Sequence, residues 1–103
     1  MTVDVDLPGS VFASGLPRTV RGYMYGPFLV HVNLDDETFW AVTHAGTGLA
    51  ACTSCRSKRS AMKLARMLVA SRIDWSFKKV GPRSFPSAAR ERATAIIERW
   101  RLA

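Results

Sequence analysis

Cys52-Thr53-Ser54-Cys55 is the place in this 103-residue chain where residue type and spacing together allow covalent or metal chemistry. Two thiols separated by two residues suit half of a zinc site or a redox pair. A structural zinc needs four ligands. His31 and His44 are the candidates to complete the set, and they lack the His-x₃₋₅-His spacing of a finger. A thioredoxin-like pair needs the motif to open a helix after a strand. The position here is compatible with that, but no βαβ pattern surrounds it. The plainer reading has Cys52 packing as a small hydrophobe and Cys55 lying in a connection. The sequence therefore predicts no metal and no cofactor.

Other catalytic chemistry is poorly supplied. His31 and His44 lie within strand-like segments or at their ends, where a histidine is more often structural or exposed than a general base. Asp35, Asp36 and Glu37 sit together in a polar turn as solvated charge. Glu91 and Glu98, seven apart, share the exposed face of a final helix among arginines. No Gly-rich phosphate loop, nucleophile elbow or metalloprotease motif occurs. The expectation is a protein without an active site.

Charge carries more information. The chain has a net charge of +7 and a pI near 10.3. Residues 56–83 alone hold nine Lys/Arg and one acid. Residues 56–72 contain Arg56, Lys58, Arg59, Lys63, Arg66 and Arg72 with no acid at all. A helix that is merely soluble mixes Glu with Lys to gain i,i+4 pairs. Crowded like charges cost stability unless a counter-charge arrives. Arg59, Lys63 and Arg66 fall on one helix face, so that face is expected to bind an anion. Lys78, Lys79 and Arg83 interleave with Trp75, Phe77 and Phe85, as in sites that neutralise phosphate and stack bases. The competing reading places those rings in the core, with the lysines flanking an edge strand. That second reading is preferred.

The elements that must position these residues follow from periodicity. Val3, Val5 and Leu7 alternate with polar residues, a short strand, and residues 8–18 read as a loop. Strands are expected over 20–25, 28–34, 38–44 and 49–53, separated by Gly26, the acidic turn and Gly46-Thr47-Gly48. Ser57 caps a helix to about Ser71, with Ala61, Leu64, Ala65 and Leu68 on its apolar side. Ile73, Trp75 and Phe77 alternate, which predicts a further short strand or an extended segment. Ser87 caps a helix over 87–102 with the stripe Ala89, Ala93, Ile96, Ile97 and Trp100. The reading is one α+β domain over 1–103: an antiparallel meander of four or five strands packed against two C-terminal helices. No apolar run is long enough to span a bilayer and no signal-peptide pattern occurs, so a cytoplasmic location is expected.

Residues 39–68 resemble the second half of a double-stranded-RNA-binding domain. That family ends in a β-hairpin followed directly by a helix opening Ser-Lys-Lys-x-Ala-Lys, and here Ser57-Lys58-Arg59-Ser60-Ala61 follows Phe39–Thr53. The resemblance implies that Lys58 and Arg59 contact phosphates across a groove. The chain also has the general look of small proteins encoded by phages and mobile elements, many of which bind host nucleoprotein machinery; anti-CRISPR proteins are one such group.

The expectation is therefore a non-enzymatic nucleic-acid-binding protein, for DNA or RNA, that contacts the phosphate backbone. Arg56, Lys58, Arg59, Lys63 and Arg66 carry the site, and Lys78, Lys79 and Arg83 extend it. The alternative is an interaction module, an inhibitor or adaptor, docking the same basic face on an acidic or nucleic-acid-binding surface of a host complex.

Overall fold

The computed structural model describes residues 1–8, 17–79, 81 and 83–102. Five strands form an antiparallel meander in sequence order: β1 (Val3–Leu7), β2 (Arg18–Tyr25), β3 (Phe28–Val32), β4 (Trp40–His44) and β5 (Ala50–Cys55). Two helices follow, α1 (Lys58–Ala70) and α2 (Ser87–Leu102). This is the α+β arrangement expected, with both helix ranges within a residue of the sequence reading. Most of the loop expected at 8–18 lies outside the described residues.

Strand alternation sorts the sheet into two faces. Phe28, Val30, Val42 and Cys52 point to the helices and are buried with Ala61, Leu64, Ala65 and Leu68 of α1 and Ala93 and Trp100 of α2. On the other face Leu7 and Val20 close over Leu29 as a second, smaller core. β2 serves both: residues 18–22 pair with β1, and residues 23–25 pair with β3. Gly22 sits at that change of partner. A Cβ there would lie 2.4 Å from the Val30 carbonyl oxygen, so only glycine fits the crossing.

Two tryptophan indoles fix the helix layer. Trp100 Nε1 donates to the Ser60 carbonyl (2.9 Å), and Arg92 Nη1 donates to the Ser71 carbonyl (3.2 Å). The start of α1 therefore meets the end of α2, and the helices run antiparallel. The Leu68 carbonyl, in the last turn of α1, accepts from Trp75 Nε1 (3.0 Å) and also from Ser71 N and the Ser71 hydroxyl.

Three expectations change. Residues 73–77 join no strand, and Asp74 Oδ1 accepts from Ser76 N (3.0 Å) in a local turn. Their rings explain why: Trp75 meets Phe28 edge-on (4.9 Å) and Phe77 stacks on Phe85 (4.9 Å), so side-chain packing replaces sheet pairing. Ser87 is the first helical residue rather than the cap, since Arg90 N donates to the Pro86 carbonyl. Cys55 ends β5 instead of lying in a connection. The cause is an irregularity in the β4–β5 ladder. Cys52 opposes Val42 and Cys55 opposes Trp40, so three steps on β5 match two on β4.

Candidate nucleic-acid interface

α1 has one face in the core and one in water. Its inward residues Ala61, Leu64, Ala65 and Leu68 are fully buried. At 100° per residue Arg59, Lys63 and Arg66 fall within an arc of about 60° on the opposite side. All three are exposed. Among the described residues the ion pair present is Arg21 with Asp4 (2.9 Å), on the far strands, and none of the α1 cations joins one.

The row is placed against the polarity of its own helix. The first turn of α1 has no acid, and Lys58 and Arg59 stand where the positive end of the helix dipole lies. Ser57 supplies the cap, its hydroxyl accepting from Ser60 N (3.1 Å). Charge in this position weakens the free protein and is relieved when an anion arrives.

The structure divides the eight predicted residues into groups. Arg59, Lys63 and Arg66 share the outer face, and Arg56 is exposed just before the cap. Lys58 turns aside: its Nζ lies 3.7 Å from the centre of the Tyr23 ring on β2, a cation–π contact. Lys78, Lys79 and Arg83 are exposed on the segment beyond α1. That segment packs on the β4–β5 turn, where a Cβ at Gly46 would lie 2.8 Å from the Phe77 carbonyl oxygen. The rings interleaved with these lysines are half-buried and pack on one another, on Phe28 and on His44. Trp75 and Phe85 pack against the core, as the preferred reading expects, but the edge strand that reading placed beside the lysines is absent.

Three arginines escaped the sequence reading. Arg92 and Arg99 are seven apart and so lie within about 20° of each other on α2. The Arg92–Ser71 bond turns that side toward α1. Arg92 and Arg99, both exposed, thus lie on the side of α2 turned toward the C-terminal end of α1. Arg101 meets Arg56 around a polar pocket of about 470 Å³ that Ser54, Ser60 and Trp100 also line. The signal available was the seven-residue Arg92/Arg99 repeat, but nothing in one sequence shows which side of α2 faces α1.

The two histidines are held alike. His31 Nδ1 donates to the Val32 carbonyl (2.7 Å), leaving Nε2 to accept from the Thr43 hydroxyl (2.7 Å). His44 Nε2 donates to the Trp75 carbonyl (2.6 Å), and Nδ1 accepts from Thr47 (2.9 Å). A carbonyl can only accept, so each ring is fixed as one neutral tautomer. Burial holds both below the ordinary histidine range. His31 borders a cleft of about 350 Å³ on the sheet face away from the helices. No group of three or more metal-ligating side chains occurs among the described residues, and no helix there is long and apolar enough to cross a membrane.

No protein-family model, no curated protein and no solved structure matches this chain.

Proposed function

We propose that this protein binds nucleic acid through the outer surface of its helix layer, without catalysis. The observation that carries the reading is the α1 row: Arg59, Lys63 and Arg66 exposed on one face, in no ion pair among the described residues, on a helix whose first turn carries bases and no acid. Arg92 and Arg99 add exposed positive charge on the side of α2 turned toward α1. Phosphates are the natural counter-charge for such a surface, and backbone contacts carry no base information. Binding is therefore tolerant of sequence and steeply salt-dependent. The RNA-binding resemblance supports this reading through the segment from Phe39 into the Ser57-capped helix, with Lys58 resting on Tyr23 rather than beside Arg59.

The test is fluorescence anisotropy with generic duplex DNA, duplex RNA and single strands. Four to five phosphate contacts predict a fall in affinity of roughly 10²-fold between about 50 and 200 mM salt. Absence of binding to every nucleic acid at about 50 mM would sink the reading.

One observation favours a second reading, a phage or mobile-element interaction module whose basic face docks on an acidic protein surface. An exposed apolar side chain on α1 itself borders the row: Val69, at 36% exposure. Protein partners use such a border, and phosphates do not. Retention of an acidic nucleoprotein subunit, with no binding to free nucleic acid, would select it.

A further inference from the structure

The Cys-x-x-Cys motif is left over from the basic surface, and the fold treats it unusually. On a regular strand, residues three apart point to opposite faces. The irregularity in β5 cancels that. Cys52 and Cys55 oppose Val42 and Trp40, which are two apart, so both sulfurs turn to the helix side and are buried in the same core. Two strand steps span about 6.6 Å. That is near the upper end of the Cα separations a disulfide bridges, about 4.4–6.8 Å, so a small tightening of the strand suffices.

The two thiols have unlike surroundings. The Cys52 sulfur lies 3.7 Å from the Ser54 hydroxyl. Burial opposes its ionisation, but the Ser54 backbone N–H and hydroxyl, the Cys55 thiol and Arg101 together outweigh it and hold the thiol below its ordinary range. Cys55 is 1% exposed. Burial first, then the neighbouring Cys52, push its thiol up to about 12. The polar pocket lined by Ser54, Arg56, Ser60, Trp100 and Arg101 adjoins the Cys52 side, because Ser54 and Arg101 touch both.

We propose that Cys52 and Cys55 are a redox-active dithiol, with Cys52 the attacking and Cys55 the resolving sulfur. The co-reactant is a small disulfide bearing carboxylates, of which oxidised glutathione is the model; Arg56 and Arg101 match its charge. The Cys52 thiolate attacks one glutathione sulfur, breaking that S–S bond and releasing a glutathione thiolate. Capping removes the negative charge beside Cys55, and with it part of what keeps that thiol protonated. Cys55 gives its proton to the released thiolate, attacks the Cys52 sulfur and expels the second glutathione. The protein loses two electrons and two protons, and one disulfide becomes two thiols. Asymmetry of this kind, a low-pKa thiol at the edge of the core (Cys52, 7% exposed) backed by a more deeply buried one (Cys55, 1%), suits thiol–disulfide exchange once the Cys52 side opens to the co-reactant.

Intact-mass measurement of the full chain across oxidised-to-reduced glutathione ratios tests this. The expected wild-type product has lost two hydrogens, keeps no glutathione, and returns to the dithiol with excess reductant. Cys55→Ser should stop at one glutathione, mapped to Cys52, with Cys55→Ala as a second trap should the serine disturb the core. Cys52→Ser should take up none. Circular dichroism establishes that each variant is folded. A wild type that keeps two free thiols under oxidising ratios overturns the proposal. So does a glutathione that stays on the wild type, or one that maps to Cys55.

Discussion

Two basic segments follow one another in this chain and the fold uses them differently. Arg59, Lys63 and Arg66 stand on a rigid helix whose reverse side, Ala61, Leu64, Ala65 and Leu68, is fully buried. Lys78, Lys79 and Arg83 stand on a non-helical connection that is held by its rings, not by its charges. Charge alone does not separate them. What does is the scaffold: a helix fixes three charges in a row at a spacing of one turn, close to that of successive phosphates along a groove. A loop anchored through Trp75 and Phe77 sets its lysines by ring packing rather than by a helical repeat. A binding surface needs both charge and fixed geometry, so the proposed function takes the helix row as the site and the loop as its border.

The strongest way to break this comparison is reversal of the row. Arg59→Glu, Lys63→Glu and Arg66→Glu together should cost about 10³-fold in duplex affinity near 0.1 M salt, since each phosphate contact contributes roughly tenfold there. The same variant should be no less stable by thermal melting. Glu at position 59 satisfies the helix dipole and is worth about 0.3–1 kcal/mol to the free protein. Lost binding with equal or higher stability is the signature of a functional face. Lost folding would mean the face is structural and would remove the proposed site.

The loop should give the opposite result. Trp75 packs on Phe28, and its indole ties the end of α1. Trp75→Ala should destabilise by about 3 kcal/mol, the lower end for an aromatic core truncation because the ring is half-buried. At temperatures where the variant is folded, affinity should change little. A variant that melts like the wild type but binds poorly would make Trp75 a base-stacking residue and promote the loop to part of the site.

The contrast also explains what the sequence allowed to be read. Helix positions were legible because Ala61/Leu64/Ala65/Leu68 repeat at helical spacing, and amphipathicity is local. The strands were legible from alternation over short runs such as Phe28–Val32. Residues 73–77 show the limit. Ile73, Trp75 and Phe77 alternate like a strand, but alternation reports only that one side is buried. Whether backbone or rings do the pairing depends on Phe28, His44 and Phe85, distant in sequence. Cys55 shows a second limit, since one extra residue in β5 reverses which way every later side chain points. The contribution of Arg92, Arg99 and Arg101 was hidden for a similar reason. It depends on helices running antiparallel, which the Trp100–Ser60 contact decides.

The histidines refine the comparison through pH. His44 holds the loop through the Trp75 carbonyl, whereas His31 lies on the opposite sheet face. Burial lowers both folded-state pKa values, and Lys78 adds to the effect at His44. Below about pH 6.5 the unfolded chain binds protons that the native rings refuse, so stability falls as pH drops. The limiting slope is about 1.4 kcal/mol per pH unit for each histidine and ends below its folded pKa. Urea melts between pH 7 and 5 should show this loss. Lys78→Ala should move the His44 titration upward in NMR and leave His31 unchanged. Equal shifts at both would mean the loop's charge is felt across the sheet, contrary to its confinement at one end.

The smallest effect is expected from the loop charges themselves, and it is the most discriminating measurement. Lys78, Lys79 and Arg83 are exposed and join no ion pair among the described residues. They therefore contribute to long-range attraction whether or not they touch the ligand. Lys78→Ala, Lys79→Ala and Arg83→Ala together should slow association and reduce affinity by less than about threefold, with the salt slope changed by less than about 1, the value for a single phosphate contact. Lys63→Ala alone should change that slope by about 1. Should the triple loop variant lose a slope of about 2 or more, at least two of its cations sit on phosphates. The footprint would then run past the C-terminal end of α1 onto the loop, and rigidity would not be what separates the two segments.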